Sequence, residues 1–173
     1  GGIGARVVGP IAQLCRSEDV ICCIDPDVVE MKNLTRQLFH PQEVGRGKAE
    51  VVAARYQRVG GPQVLAYQTR ATVESLPTIL ADVKRGSTYY TLLIGAVDSR
   101  EARQDLWEVT TGRAFYTNGG TLWLDAGNDQ RSGQVLLQGT WPAELIGGGA
   151  PAYATITERA AVQRRGNEFY PRT

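Results

Sequence analysis

The run Tyr90 to Val97, YTLLIGAV, is nearly all apolar. A strand with one wet face alternates apolar and polar residues. A strand that is apolar throughout suits a parallel sheet covered on both faces. Parallel neighbours need a crossover connection, usually a helix, so this run commits the chain to alternating strand and helix. The rest of the sequence agrees. Ile3 to Cys15 is predicted helical, with Val7, Val8, Ile11 and Leu14 on its apolar face and Pro10 as an interior flaw. Val20 to Ile24 is a short apolar strand, and Asn33 to Gly45 is irregular. Gly47 to Val59 is a helix that offers Val51, Val52, Ala54 and Tyr56 for burial. Val64 to Gln68 and Ala114 to Thr117 are strands; Val73 to Lys84 and Arg100 to Thr110 are helices. After Gly120 the pattern changes. Thr121 to Asp125 and Gln134 to Gln138 form a predicted antiparallel hairpin across the turn-rich stretch Gly127 to Gly133. A short helix is expected near Ile156 to Arg164. The expected fold is α/β: a mainly parallel sheet flanked by helices, with a C-terminal antiparallel hairpin.

Composition narrows the class. The 173 residues suit one domain. A net charge of +1 argues against nucleic acid as the main partner. No apolar run reaches the roughly 18 residues of a membrane span, and no secretory pattern opens the chain. Cys15, Cys22 and Cys23 include no C-x-x-C pair, which leaves a zinc site unsupported. Cys22 and Cys23 read as small core residues. Without a disulfide framework, a reducing cytoplasm is the expected compartment.

Two constellations carry chemistry. The first is Gly1-Gly2-Ile3-Gly4, opening a predicted helix. Glycines admit phosphate oxygens close to the backbone, and the helix N-terminus supplies free N–H groups and a favourable dipole. About twenty residues on, Asp25 ends a strand, where Rossmann-like folds place a carboxylate near a ribose diol. A tight turn and an ordinary strand end explain these residues equally well. Such a loop normally follows a strand, so the expectation is that the first strand of this domain is missing from the sequence.

The second constellation is Asp25-Pro26-Asp27-Val28-Val29-Glu30-Met31-Lys32-Asn33-Leu34-Thr35-Arg36-Gln37, followed by Val44-Gly45-Arg46-Gly47-Lys48-Ala49. Asn33 and Arg36 are spaced to share one side of a helical turn. Arg36 offers a planar fork of donors for phosphate oxygens. Lys48 is read as a mobile point charge at a helix start, unfavourable for the dipole unless an anion lies between. Taken singly, these residues describe a solvated basic loop.

Their order resembles the ThiF/MoeB/HesA family and the adenylation domains of ubiquitin-activating enzymes. The pattern D-x-D-x-V-x-x-x-N-L-x-R-Q with V-G-x-x-K-A covers residues 1 to 49, and Gly1, Gly2 and Gly4 match most of the family's glycine loop. Asp98, after LLIGAV, matches an Asp that the family keeps at a strand end. The resemblance implies a Rossmann-like single domain over residues 1–173. It implies that Asp25 bonds the ribose of ATP, that Asn33, Arg36 and Gln37 hold the nucleotide with the glycines, that Lys48 neutralises phosphate, and that Asp98 binds Mg²⁺. Arg36, Lys48 and Asp98 are then the catalytic set. The competing role for Asp98 is an N-cap ahead of Arg100. The implied reaction is adenylation of a C-terminal carboxylate, typically that of a ubiquitin-like protein ending in Gly-Gly, by a homodimer. The hairpin around Trp123 and Val135 to Leu137 is a candidate dimer contact.

Departures accompany the match. No Cys follows Cys23, so the acyl-accepting thiol of many family members has no counterpart here, and the zinc-binding C-x-x-C pairs are absent. Leu122-Trp123-Leu124-Asp125-Ala126-Gly127-Asn128, then Gly133-Gln134-Val135, resembles the ThiF-type proteins of bacterial PRTRC gene systems; Arg55-Tyr56 agrees. The plain alternative is a hairpin whose turn uses Asp125, Gly127 and Asn128. Two other functions fit part of the pattern: an NAD-dependent oxidoreductase and an inactive nucleotide-binding scaffold subunit. His40, the only histidine, reads as structural.

Overall fold

The computed structural model describes residues 2–83, 90–111, 120–128, 133–141 and 154–162. They fall into two compact units, Gly1–Ala71 and Thr72–Thr173. Helix and strand alternate through the first and into the second, as expected of a Rossmann-like α/β fold.

The first unit runs α1 (Gly2–Leu14), β1 (Val20–Ile24), two short 3-10 turns (Met31–Asn33 and Pro41–Glu43), α2 (Lys48–Tyr56) and β2 (Gln63–Tyr67). β1 and β2 pair in parallel, from Val20 opposite Gln63 to Ile24 opposite Tyr67. Their core gathers Ala5, Cys23, Val29, Phe39, Ala49, Val51, Val52, Ala53 and Val64. In α2 the buried line is Ala49, Val52, Ala53 and half-buried Tyr56, spaced i, i+3, i+4, i+7. Ala54, expected inside, is one position off that line and is exposed.

α1 buries a face that only partly matches the expected one: Val8 packs against the core as expected, but small residues make up the rest. Ala5, Gly9 and Ala12 are buried, whereas Leu14 is 81% exposed. The reason is close approach to α2. A Cβ at Gly9 would lie 2.8 Å from Cε1 of Tyr56, so the ring packs on bare backbone. Small residues at i, i+4 and i+7 admit a neighbour that Val7 and Ile11 would hold off. α1 continues through Pro10, which is exposed.

The second unit comprises α3 (Ser75–Val83), β3 (Thr91–Gly95), α4 (Arg100–Thr111), β4 (Thr121–Asn128), β5 (Gly133–Trp141) and β6 (Ala154–Val162). Its sheet has the order β3-β4-β5-β6. β3 and β4 are parallel; β4 with β5, and β5 with β6, are antiparallel. The expected hairpin is present and longer at both ends. The expected helix near Ile156 to Arg164 is corrected: Ala154–Val162 is a strand on the free edge of β5. Thr155, Ile156 and Thr157 are β-branched, and the open edge of β5 satisfies a whole ladder of backbone groups, which outweighs the helix preference of Glu158 to Ala161. The strand expected at Ala114 to Thr117 lies outside the described residues.

Leu76, Ile79, Leu106, Val109 and Trp123 are buried in this unit. Trp107 of α4 meets Trp123 of β4 edge-on, with ring centroids 6.1 Å apart. Trp123 is 0% exposed, so its indole belongs to the core and is removed from the expected dimer contact. Asp125, considered above as a turn residue, is also 0% exposed and sits within β4 opposite Gly95. A Cβ at Gly95 would lie 2.2 Å from Oδ1 of Asp125. Gly95→Ala is therefore expected to destabilise the fold by about 3 kcal/mol, since the carboxylate must leave a buried ion pair. Denaturant unfolding checks this, and an unchanged midpoint would show that the strands separate at little cost. Among the described residues no helix is long and apolar enough to cross a membrane.

Candidate functional site

The site in the first unit is built by two segments that pair with each other. Val29 N donates to Arg46 O at 2.8 Å, Gly45 N to Val29 O at 2.8 Å, and Lys48 N to Asp27 O at 2.9 Å. Gly45 makes the return with φ +88°, a left-handed conformation that side chains strain to adopt. This explains the V-G-x-x-K spacing: the glycine turns the chain so that the first residue of α2 lands beside Asp27.

Lys48 is accordingly not the mobile solvated charge expected from its sequence setting. It is 6% exposed, and Nζ donates to Asp27 Oδ2 at 2.8 Å. Asp27 supplies the anion that a cation at a helix N-terminus needs. The hydrogen bond from Lys48 is the largest cause holding the Asp27 carboxyl below its ordinary pKa. Asp27 N in turn donates to Asp25 Oδ1 at 2.9 Å. Asp25 follows the end of β1, anchored by its own N–H to Tyr67 O at 3.2 Å. Asp25, Asp27 and Lys48 thus form one linked group. Asp27 received no role from the sequence, although the D-x-D spacing carried the signal.

Asn33 and Arg36 occupy one turn, with Arg36 N and Gln37 N both donating to Asn33 O. Their surroundings differ. Asn33 is 3% exposed and its Oδ1 accepts from Glu30 N at 2.9 Å, so its amide NH₂ is the half suited to phosphate. Arg36 is exposed, leaving its guanidinium in reach of a bound anion. Gly2 lies against this turn: a Cβ there would be 3.7 Å from Gln37 Cγ and 3.9 Å from Arg36 O. Gly2 is the first residue of α1, so the structure joins the start of that helix to the N-L-x-R-Q segment, and the described glycines of the motif are helical. Gly4 lies in α1, and Gly1 is outside the described residues. Gln37 Oε1 is buried without a hydrogen-bond partner among the described residues, an acceptor of the kind that a ligand donor satisfies.

The loop after this turn is clamped from α2. Arg55 donates to both carboxylate oxygens of Glu43 at 2.8 Å and to Leu38 O, and its guanidinium lies 5.9 Å from the Phe39 ring centroid. His40 opens the second 3-10 turn, where His40 N donates to Glu43 Oε2 at 2.7 Å; that is a structural place.

Asp98 belongs to the second unit, between β3 and α4, and is exposed. The cap of α4 is Ser99, whose Oγ accepts from Ala102 N at 3.1 Å. The competing explanation of Asp98 is thereby assigned to its neighbour. Among the described residues no three His, Cys, Asp or Glu side chains cluster as a metal cage. One exposed carboxylate fits Mg²⁺, which commonly takes one or two carboxylates together with substrate phosphates. None of the three cysteines has an activated thiol. Burial pushes Cys22 and Cys23 up to about 11, and burial with the Asp19 charge raises Cys15.

The chain is 42% identical over 72 residues to the NEDD8-activating enzyme E1 catalytic subunit of Caenorhabditis elegans, covering 40% of this chain and 16% of that protein. The crystal structure of SeMet PaaA aligns with a TM-score of 0.45 and 18% identity over 67% of this chain and 32% of its own. The chain thus spans less than a third of either. Residues 1–137 match the ThiF family, which is most of the sequence and includes every candidate residue discussed above, and the chain belongs to that family.

Proposed function

We propose that residues 1–173 act as an ATP-dependent adenylating domain on the C-terminal carboxylate of a ubiquitin-like or sulfur-carrier-like protein. The observation that carries this reading is the buried Lys48, held by Asp27 next to Asp25, in a family motif that otherwise supplies Asn33 and Arg36. Asp25 holds the ribose, and Gly2, Asn33, Arg36 and Gln37 receive the nucleotide. Lys48 exchanges its carboxylate partner for phosphate. Asp98 would hold Mg²⁺, which when bound would further neutralise phosphate charge.

The chemistry balances without a side-chain nucleophile. A carboxylate oxygen of the substrate attacks the α-phosphorus, and the bond from that phosphorus to the bridging oxygen breaks. Pyrophosphate leaves with the electron pair, and the acyl-adenylate remains. The protein's work is to align two anions and neutralise charge that builds on the phosphates. With thiols at about 11, roughly one in a thousand of Cys22 or Cys23 is ionised at mildly alkaline pH, so the acyl group passes to an external acceptor instead of these residues.

The relative from C. elegans supports the substrate class by its name, NEDD8-activating enzyme E1 catalytic subunit. The test is pyrophosphate exchange with Mg-ATP and a ubiquitin-like protein ending in Gly-Gly, beside calorimetric titration of ATP and NAD. Exchange is expected, with ATP bound more tightly than NAD and no thiol-sensitive adduct on a non-reducing gel. NAD binding equal to or tighter than ATP would favour an oxidoreductase. Tight ATP binding without exchange would favour a scaffold subunit.

A further inference from the structure

We infer that Arg103 and Asp125 are positioning residues that brace the turn carrying Asp98, and so set how the protein engages nucleotide-bound metal. This rests on the reading of Asp98 given above. Arg103 is 6% exposed and Asp125 0%. One guanidinium makes two bonds to different elements: Nε to Asp125 Oδ2 of β4 at 3.0 Å, and a terminal nitrogen to Val97 O. Val97 immediately precedes Asp98. Ser99, immediately after it, is fixed by the cap to Ala102 N and by Arg103 N to Ser99 O at 3.3 Å. The backbone on each side of Asp98 is therefore tied to α4, while the carboxylate itself faces solvent.

The sequence makes room for this brace at some expense. Asp125 occupies the space that a side chain at Gly95 would fill. A buried ion pair is weak evidence for stability, because desolvating both charges offsets most of the attraction. What this one supplies is direction. The fork is rigid and reaches a carboxylate and a carbonyl together, which a lysine ammonium on a flexible stem does less well. Residues behind a metal ligand commonly change metal affinity by tenfold or more when replaced.

The experiment compares wild type, Asp98→Asn, Arg103→Lys and Leu106→Ala. Each is titrated with ATP in Mg²⁺ and in EDTA, and the ratio of the two affinities is the readout. Thermal unfolding and hydrogen exchange at residues 96–99 accompany it. Leu106→Ala removes a buried side chain that packs near Gly95 and Asp125 but leaves every bonding atom of the brace in place, so it controls for lost packing around the pair. Asp98→Asn is expected to erase the metal-dependent gain. Arg103→Lys is expected to cut it by about tenfold, with metal-free ATP affinity within about twofold of wild type. Exchange at residues 96–99 should quicken in Arg103→Lys, and Leu106→Ala should keep the gain. A wild-type gain in Arg103→Lys, or an equal loss in Leu106→Ala, overturns the inference, as does an undiminished gain in Asp98→Asn. If wild type shows the metal-dependent gain but no pyrophosphate exchange, adenylation fails and the brace stands.

Discussion

Asp98→Asn is expected to lower pyrophosphate exchange by at least about a hundredfold while leaving stability within about 0.5 kcal/mol of wild type. Two observations set these limits. The carboxylate is exposed, so replacing it by an amide of the same shape leaves packing unchanged. The helix cap is the hydroxyl of Ser99, so the start of α4 does not depend on the charge at 98. What the amide loses is the negative charge, and Mg²⁺ is a hard cation that favours carboxylate oxygen. Ser99→Ala should behave differently, with a stability loss of about 1 kcal/mol from an uncapped helix. Circular dichroism melts and exchange assays on both variants separate the roles. Full exchange in Asp98→Asn would remove Asp98 from the catalytic set.

The parts legible in the sequence are those fixed by local pattern. β1 is the predicted Val20–Ile24, because an apolar run bounded by polar residues has one reading. The core of YTLLIGAV is β3, paired in parallel with β4 as expected, but burial on both faces is corrected: Leu92 is 45% exposed, and β3 ends the sheet order among the described residues. Contacts between distant positions were not legible. Lys48 and Asp27 lie 21 residues apart, and Arg103 and Asp125 lie 22 apart. Spacing alone left Lys48 a mobile charge and Asp125 a turn residue, and only the fold turned them into pairs. β6 failed for a related reason: its local composition tolerates helix, and the deciding partner is the edge of β5. Leu14 misled because apolar periodicity selects large residues, whereas the contact at α2 requires small ones. The candidate site was legible as a set of residue types through its order, but the burial of Lys48 and the capping bond of Asn33 were not.

Lys48→Met and Asp27→Asn are expected to have opposite profiles, because the two ends of their ion pair differ in burial. The Lys48 side chain is 7% exposed and that of Asp27 62%. Methionine keeps most of the apolar stem and removes the charge. Asp27 then returns to water without an unpaired buried charge, and stability should change by no more than about 1 kcal/mol. Catalysis should suffer, with exchange falling by about a hundredfold to a thousandfold, the cost of one lost donor to a charge-building centre. Asp27→Asn does the reverse: it leaves the enclosed ammonium without its counter-charge, and about 2 kcal/mol or more of stability should go. The pH dependence has a definite sign. The folded-state pKa of Asp27 is depressed, with the Lys48 hydrogen bond as the leading cause. The pair's contribution is therefore full above the ordinary carboxylate pKa and declines as pH falls through the lowered value. Asp27→Asn should flatten that part of the acid unfolding curve. Denaturant melts at neutral and acid pH, beside exchange assays, provide the comparison. If Lys48→Met retains exchange and loses stability instead, the lysine is a structural partner of Asp27 and phosphate neutralisation must come from Arg36.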